Sequence, residues 1–176
     1  RDSPTGKHAR LTPFILNAPP SAFSSQEEVW NYITPSRQNT EYYTIIFYAW
    51  GKGDPTSSGN KSDTGHAFVT IPNIGTFGFS NIDGKIIYGE AKIYDHTREI
   101  PYAKYKCSVK ISKENLKRVK DKFKEWQNNT PHYTIGVYDC TTFVMDIADA
   151  ADIDYGNRWE IQTPVGFIEE LKKRNN

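Results

Sequence analysis

Cys140 occupies a position at which a thiol can act as a nucleophile. It lies in the segment Tyr138-Asp139-Cys140-Thr141-Thr142-Phe143, where an alternating pattern ends and a helical pattern begins. The start of a helix favours negative charge, so we expect a lowered pKa for a thiol at this point. The unpaired backbone N–H groups of the same helix start could also stabilise an oxyanion. These features predict that Cys140 is a catalytic nucleophile.

A catalytic thiol needs a base, and the chain offers His8, His66, His96 and His132. His8 falls in a proline-rich opening stretch, and His96 in a charged stretch without a clear pattern. His132 begins a predicted strand that runs away from it toward Cys140. His66 follows a glycine-rich loop and begins the apolar run Ala67-Phe68-Val69. A strand beside the cysteine helix could direct this imidazole toward the sulfur, so His66 is the predicted base.

A third polar group usually orients the imidazole of such a pair. The hairpin that follows His66 brings the region of Ser80 roughly opposite it, and Ser80 is a polar residue at the end of an apolar strand. Ser80 is therefore the first candidate for this third position. Asp83, Glu90 and Asp95 remain alternatives.

The elements that must position these residues follow from periodicity and turn signals. Strand patterns cover Glu41–Trp50, His66–Ile71, Thr76–Asn81, Tyr105–Ile111 and His132–Tyr138. Helices are predicted after Ser25, after Ser112, from Cys140 to near Asp152, and from Pro164 behind a Thr163 cap. Hairpins followed by helices predict an α+β domain with an antiparallel sheet packed against helices.

Composition narrows the classes of function. The 176 residues carry a net charge of +1, which gives no general field for nucleic acid. No apolar run approaches the roughly 20 residues that span a bilayer. Residues 1–20, with four prolines, are predicted to be an arm or linker, and residues 21–176 a single domain. The cysteines and histidines show no zinc-ligand spacing, so neither a metal nor a cofactor is expected.

Three segments carry a resemblance to a known family. Gly65-His66-Ala67-Phe68-Val69, then Thr76-Phe77-Gly78-Phe79, then Tyr138-Asp139-Cys140-Thr141-Thr142-Phe143 resemble the circularly permuted NlpC/P60 group of papain-like cysteine hydrolases. In that group the histidine strand precedes the cysteine helix. The resemblance extends from about Tyr42 to Leu171, and Gln162-Thr163-Pro164 matches the closing proline-containing helix. It is similar above all to C-terminal domains of Rhs-type secreted bacterial toxins.

The resemblance implies a permuted papain-like fold and a thiol hydrolase in which Cys140 attacks a carbonyl and His66 takes its proton. Relatives mostly cleave peptide or amide bonds of bacterial peptidoglycan. A peptidoglycan stem peptide is therefore the expected substrate, and a secreted or periplasmic antibacterial effector the expected role. A dedicated immunity or inhibitor protein is the partner that such a toxin implies.

Two other interpretations remain open. A lipid acyl hydrolase or acyltransferase, similar to the lecithin–retinol acyltransferase branch, would have an exposed apolar rim around its cleft. A secreted binding domain without enzymatic activity would be favoured by a disulfide between Cys107 and Cys140, because that bond would consume the nucleophile. Otherwise Cys107 is expected to be a structural residue in its strand.

Overall fold

An antiparallel sheet of five strands carries the candidate residues in the computed structural model, which describes residues 41–82 and 87–176. Contacts divide the chain into two units, residues 1–40 and 41–176. The second unit contains all the elements given below. The predicted arm, the helix after Ser25, His8 and Asp83 lie outside the described residues.

Seven strands are present in the described part of the chain. They are β1 (Tyr42–Trp50), β2 (His66–Ile71), β3 (Gly75–Asn81), β4 (Tyr88–Gly89), β5 (Ala91–Asp95), β6 (Tyr105–Ser112) and β7 (Tyr133–Thr134). The large sheet has the order β5-β3-β2-β1-β6, and each neighbouring pair is antiparallel. Strands β4 and β7 form a separate small ladder. His66 thus begins the central strand of the large sheet.

Three α-helices follow the sheet in sequence: α1 (Lys113–Asn128), α2 (Cys140–Ala150) and α3 (Pro164–Asn175). Each starts at a side-chain cap, which satisfies amides that have no partner within the helix. Ser112 accepts from Asn115 N, and Thr163 accepts from Gly166 N with Pro164 in the first turn. Two short 3₁₀ helices, Thr97–Tyr102 and Arg158–Glu160, complete the fold.

The two faces of the sheet bury different side chains because residues along a strand alternate in direction. On β2, Ala67, Val69 and Ile71 join the main core together with the apolar faces of the three helices. Phe68 points the other way and forms a smaller cluster with Tyr48 and Trp50. The 3₁₀ helix Thr97–Tyr102 supplies Ile100 to that second cluster.

The structure confirms an α+β domain with an antiparallel sheet packed against helices. The predicted strand His132–Tyr138 is wrong beyond its first residues. Only Tyr133–Thr134 is extended, and the chain then turns, with Tyr138 N donating to Thr134 O at 2.8 Å. Gly136 at φ +79° permits this turn, which leaves Ile135 and Val137 exposed.

Candidate active site

Asp139 fixes the start of α2. Its Oδ1 accepts from the backbone N–H groups of Thr141 and Thr142, both at 3.0 Å, and its Oδ2 accepts from Gly136 N at 2.8 Å. Thr142 Oγ1 returns a bond by accepting from Asp139 N at 2.7 Å. The Asp139 side chain therefore already binds the N–H groups of Thr141 and Thr142, two of the helix-start amides that were expected to be available to an oxyanion. The amide of Cys140 itself is not held by Asp139 and donates instead to the phenol oxygen of Tyr133.

The thiol of Cys140 lies under the surface, with 5% of the residue exposed. Burial, and next the Asp139 carboxylate, raise its pKa to about 11. Hydrogen bonds from the Ala67 backbone and from Thr141 and Tyr133 act in the opposite direction. The expected lowering by the helix start is therefore wrong for this structure, because desolvation and a neighbouring anion outweigh it. The resting group is a neutral thiol that needs a base.

Tyr133 on β7 is a site residue that the sequence did not reveal as such. Its phenol hydrogen-bonds with both the backbone and the side chain of Cys140, and burial raises its pKa. The ring stacks on Phe79 with centroids 5.5 Å apart, which holds the hydroxyl in place. A neutral phenol beside Cys140 could donate a hydrogen bond to negative charge that develops there.

The backbone N–H of Ala67 donates to Cys140 Sγ. His66 therefore directly precedes, in sequence, the residue whose backbone contacts the thiol. The ring of His66 lies on the face of the sheet that carries Phe68, and it packs at a tilt against Trp50 with ring centroids 5.0 Å apart. In the described residues no hydrogen bond joins His66 to Cys140. Gly65 makes this strand start possible, because a Cβ at its φ of +81° would lie 2.9 Å from the Trp50 carbonyl oxygen.

His96 is the partner of the His66 imidazole. The two Nε2 atoms are 2.7 Å apart, and the ring centroids 4.8 Å. His96 Nδ1 lies 2.9 Å from the carbonyl oxygen of Tyr94, which can only accept, so this nitrogen carries the proton. Burial lowers the pKa of both histidines, that of His66 far below its usual range, so both rings are neutral. His96 Nε2 therefore accepts from His66 Nε2–H, and the lone pair of His66 lies on Nδ1.

Gly78 leaves the space that this pair of rings needs. A Cβ on Gly78 would lie 2.8 Å from His96 Cε1 and 3.0 Å from His66 Nε2. Real Cβ atoms essentially never approach other heavy atoms as closely as 2.8 Å. A glycine within a strand marks close approach of another group, and this was the sequence signal that could have led to His96.

The structure puts His96, and not Ser80, on the imidazole of His66. Ser80 is half-buried on β3, in register with Lys92 of β5, and within the described residues it makes no hydrogen bond to His66. Asp95 accepts from Thr97 N at 2.8 Å and is exposed, while exposed Glu90 contributes a carbonyl to Ile82 N. The β2–β3 hairpin is present, but the polar group that contacts the imidazole comes from the residue that follows β5.

A cleft of about 590 Å³ opens beside the start of α2. Its walls include Asp139, Thr141 and Thr142, the residues on both sides of Cys140 in sequence, whereas neither Cys140 nor His66 lines it. The far wall holds Trp159, which is 86% exposed, together with Val137 and Tyr138.

Both cysteines are free in the structure. Cys107 belongs to the main core on β6, as expected of a structural cysteine, and burial raises its pKa. In the described ranges, no three His, Cys, Asp or Glu side chains are grouped so as to hold a metal ion. Nor does any helix there have the length and apolarity to cross a bilayer.

Comparison with known proteins gave no match to a protein family, a curated protein or a solved structure.

Proposed function

We propose that this chain is a cysteine hydrolase of the permuted NlpC/P60 type that cleaves peptide or amide bonds, with bacterial peptidoglycan as substrate. One observation supports it most directly. The thiol at the first residue of α2 bonds to the backbone beside His66, while His96 holds the other nitrogen of that imidazole. A neutral thiol, an imidazole with a free Nδ1 lone pair and an orienting group are the parts of a thiol–imidazole nucleophile.

The proposed reaction begins with transfer of the Cys140 thiol proton to His66 Nδ1, across the first residue of β2. The thiolate then forms a bond to the carbonyl carbon, and the phenol of Tyr133 stabilises the oxyanion. When the C–N bond breaks, the imidazolium returns its proton to the leaving amine. Water then attacks the thioester, which releases the acid and restores the thiol.

The role that accompanies this activity follows from the resemblance alone. We propose a secreted or periplasmic antibacterial effector, and an immunity or inhibitor protein that occupies the cleft. Fold-level analogy supports this part of the proposal.

The test incubates purified peptidoglycan with wild type, Cys140→Ala and His66→Ala, and reads the products by mass spectrometry. Cys107→Ala is the matched control, because it removes the other buried free thiol. Stem-peptide fragments from wild type and Cys107→Ala, and none from the other two variants, would support the proposal. Equal fragment yields from wild type and Cys140→Ala would refute it.

A second candidate, a lipid acyl hydrolase or acyltransferase, is favoured by the apolar surface beside the cleft. Six exposed apolar residues lie in or next to β4, in the turn after β7 and in the second 3₁₀ helix: Ile87, Tyr88, Ile135, Val137, Tyr138 and Trp159. Ile135 N donates to Ile87 O at 3.1 Å, so these segments are adjacent. Exposed apolar patches commonly mark contact sites. Fatty acid or lysolipid released from phospholipid vesicles by wild type, and not by Cys140→Ala, would establish this activity instead.

A further inference from the structure

A carboxylate lies near His96, the partner of the His66 imidazole. Glu99 belongs to the 3₁₀ helix Thr97–Tyr102, and its backbone N–H donates to His96 O at 2.9 Å. Its charge acts on His96. Ser57 Oγ donates to Glu99 Oε1 from the long loop that precedes β2. Glu99 thus links the loop before β2 to His96, the residue that contacts His66.

The second oxygen of this carboxylate is unusual. Glu99 Oε2 is fully buried and has no hydrogen-bond partner within residues 41–82 and 87–176. Leaving a buried carboxylate oxygen unpaired costs free energy, because the lost hydration is not replaced. In the low dielectric of the protein interior, a carboxylate at this position interacts strongly with a neighbouring group that becomes positively charged.

Other charged groups near the pair differ from Glu99 in their exposure. His66 faces His96 from β2, and Asp95 precedes it on β5. The charge of Asp95 acts on His96 in the same direction as that of Glu99, but Asp95 is exposed, accepts from Thr97 N and is itself influenced by Arg98. Water screens these exposed charges, whereas a buried oxygen is screened much less.

We propose that Glu99 is a positioning residue that orients His96 and, through it, stabilises the positive charge that His66 acquires when it takes the proton of Cys140. This inference rests on the proposed function. No proton moves to Glu99: the thiol proton stays on His66 Nδ1, while His66 Nε2–H still donates to His96 and His96 Nδ1–H to Tyr94 O. The burial that keeps both rings neutral at rest also opposes the imidazolium, so a nearby fixed anion lowers the barrier to forming it.

The test measures alkylation of Cys140 by iodoacetamide, which requires no knowledge of the substrate. Peptide mass spectrometry distinguishes Cys140 from Cys107, and second-order rates are measured from pH 6 to pH 10. Glu99→Gln removes the charge and keeps the shape, and Glu99→Asp keeps the charge. Asp95→Asn is the matched control, because it removes a neighbouring but exposed carboxylate.

At pH 7 we expect Glu99→Gln to react about tenfold more slowly than wild type, which corresponds to a change of about one pKa unit in the imidazolium. The deficit should shrink toward pH 10, since a thiol that ionises directly no longer needs His66. Glu99→Asp should recover most of the rate, and Asp95→Asn should stay within about twofold of wild type.

Three results would overturn the role of Glu99, and they differ in whether they also contradict the Cys140–His66 pair. A wild-type rate in Glu99→Gln, with a slow His66→Ala, would remove Glu99 and leave the thiol–imidazole pair intact. A Glu99→Gln deficit that is equal at every pH would show a purely structural role. A wild-type rate in His66→Ala would refute the pair itself, and with it both the proposed mechanism and the role of Glu99.

Discussion

The imidazoles of His66 and His96 meet through their Nε2 atoms at 2.7 Å, and the Tyr94 carbonyl determines which of them donates. Because His96 must keep its proton on Nδ1, His66 must donate from Nε2. This leaves His66 Nδ1 as the basic nitrogen. One backbone oxygen on β5 thus selects the tautomer of a residue on β2.

Replacing His96 should change this tautomer and the reactivity of Cys140. His96→Leu removes the acceptor, so we expect His66 to populate both neutral tautomers and the alkylation rate at pH 7 to fall about tenfold or more. His96→Gln offers a carbonyl acceptor and should retain more of the rate. Long-range ¹H–¹⁵N spectra of the imidazoles read the tautomer directly. Unchanged His66 nitrogen shifts in His96→Leu would contradict the assignment.

Gly78→Ala should destabilise the protein by forcing the two rings apart. The added methyl group would lie 2.8 Å from His96 and 3.0 Å from His66, and overpacking of this kind costs about 1–3 kcal/mol. Thermal or urea unfolding measures this change in the free energy of unfolding. The control is the same substitution in a His96→Ala background, where the nearest clash is absent and the cost should be smaller. An equal cost in both backgrounds would place the strain elsewhere.

Local sequence signals predicted many of the strands and helix starts that position the site. Strand β2 was predicted with its observed bounds, and the start of α1 followed from Ser112, that of α3 from Thr163. The beginning of α2 at Cys140 was also visible, because an alternating segment changes there to a helical one. Each of these features depends on residues close together in the chain, where propensity and capping act.

The missing parts depend on tertiary packing. Strand β5 lies at the edge of the sheet, and its residues are all half-buried or exposed, so its sequence shows no clear hydrophobic period. For this reason His96, which directly follows β5, was not assigned to any predicted element. The alternation of Tyr133, Ile135 and Val137 indicated a strand, yet Gly136 turns the chain there. The raised pKa of Cys140 depends on burial that no local pattern encodes.

The neutral histidine pair should make the protein less stable in acid. Burial lowers the pKa of His66 and His96 in the folded state, whereas unfolded histidine titrates near 6.5. Below about pH 6.5 the unfolded chain therefore binds more protons than the folded chain, and the free energy of unfolding falls as pH falls. The stabilisation is complete above this range. Melting temperatures between pH 8 and pH 5 measure the effect.

His66→Gln is the matched variant for this stability prediction. It removes one of the two suppressed titrations and keeps a polar side chain at the start of β2. The melting temperature of His66→Gln should therefore decline less between pH 7 and pH 5 than that of wild type. A parallel decline in both proteins would assign the acid sensitivity to other groups.

Asp139 should hold the thiol of Cys140 in its neutral form. Burial, and next the Asp139 carboxylate, raise the pKa of that thiol to about 11, and Asp139 also caps α2. Asp139→Ser keeps a capping oxygen but removes the charge, so the pKa of the Cys140 thiol should fall. At a pH below the thiol pKa of both proteins, each unit by which this pKa falls should increase the thiolate fraction about tenfold. Absorbance at 240 nm against pH measures thiolate, with Cys140→Ala as the baseline. A titration of wild-type Cys140 near pH 6, or a higher thiol pKa in Asp139→Ser, would mean that helix-start stabilisation outweighs burial after all.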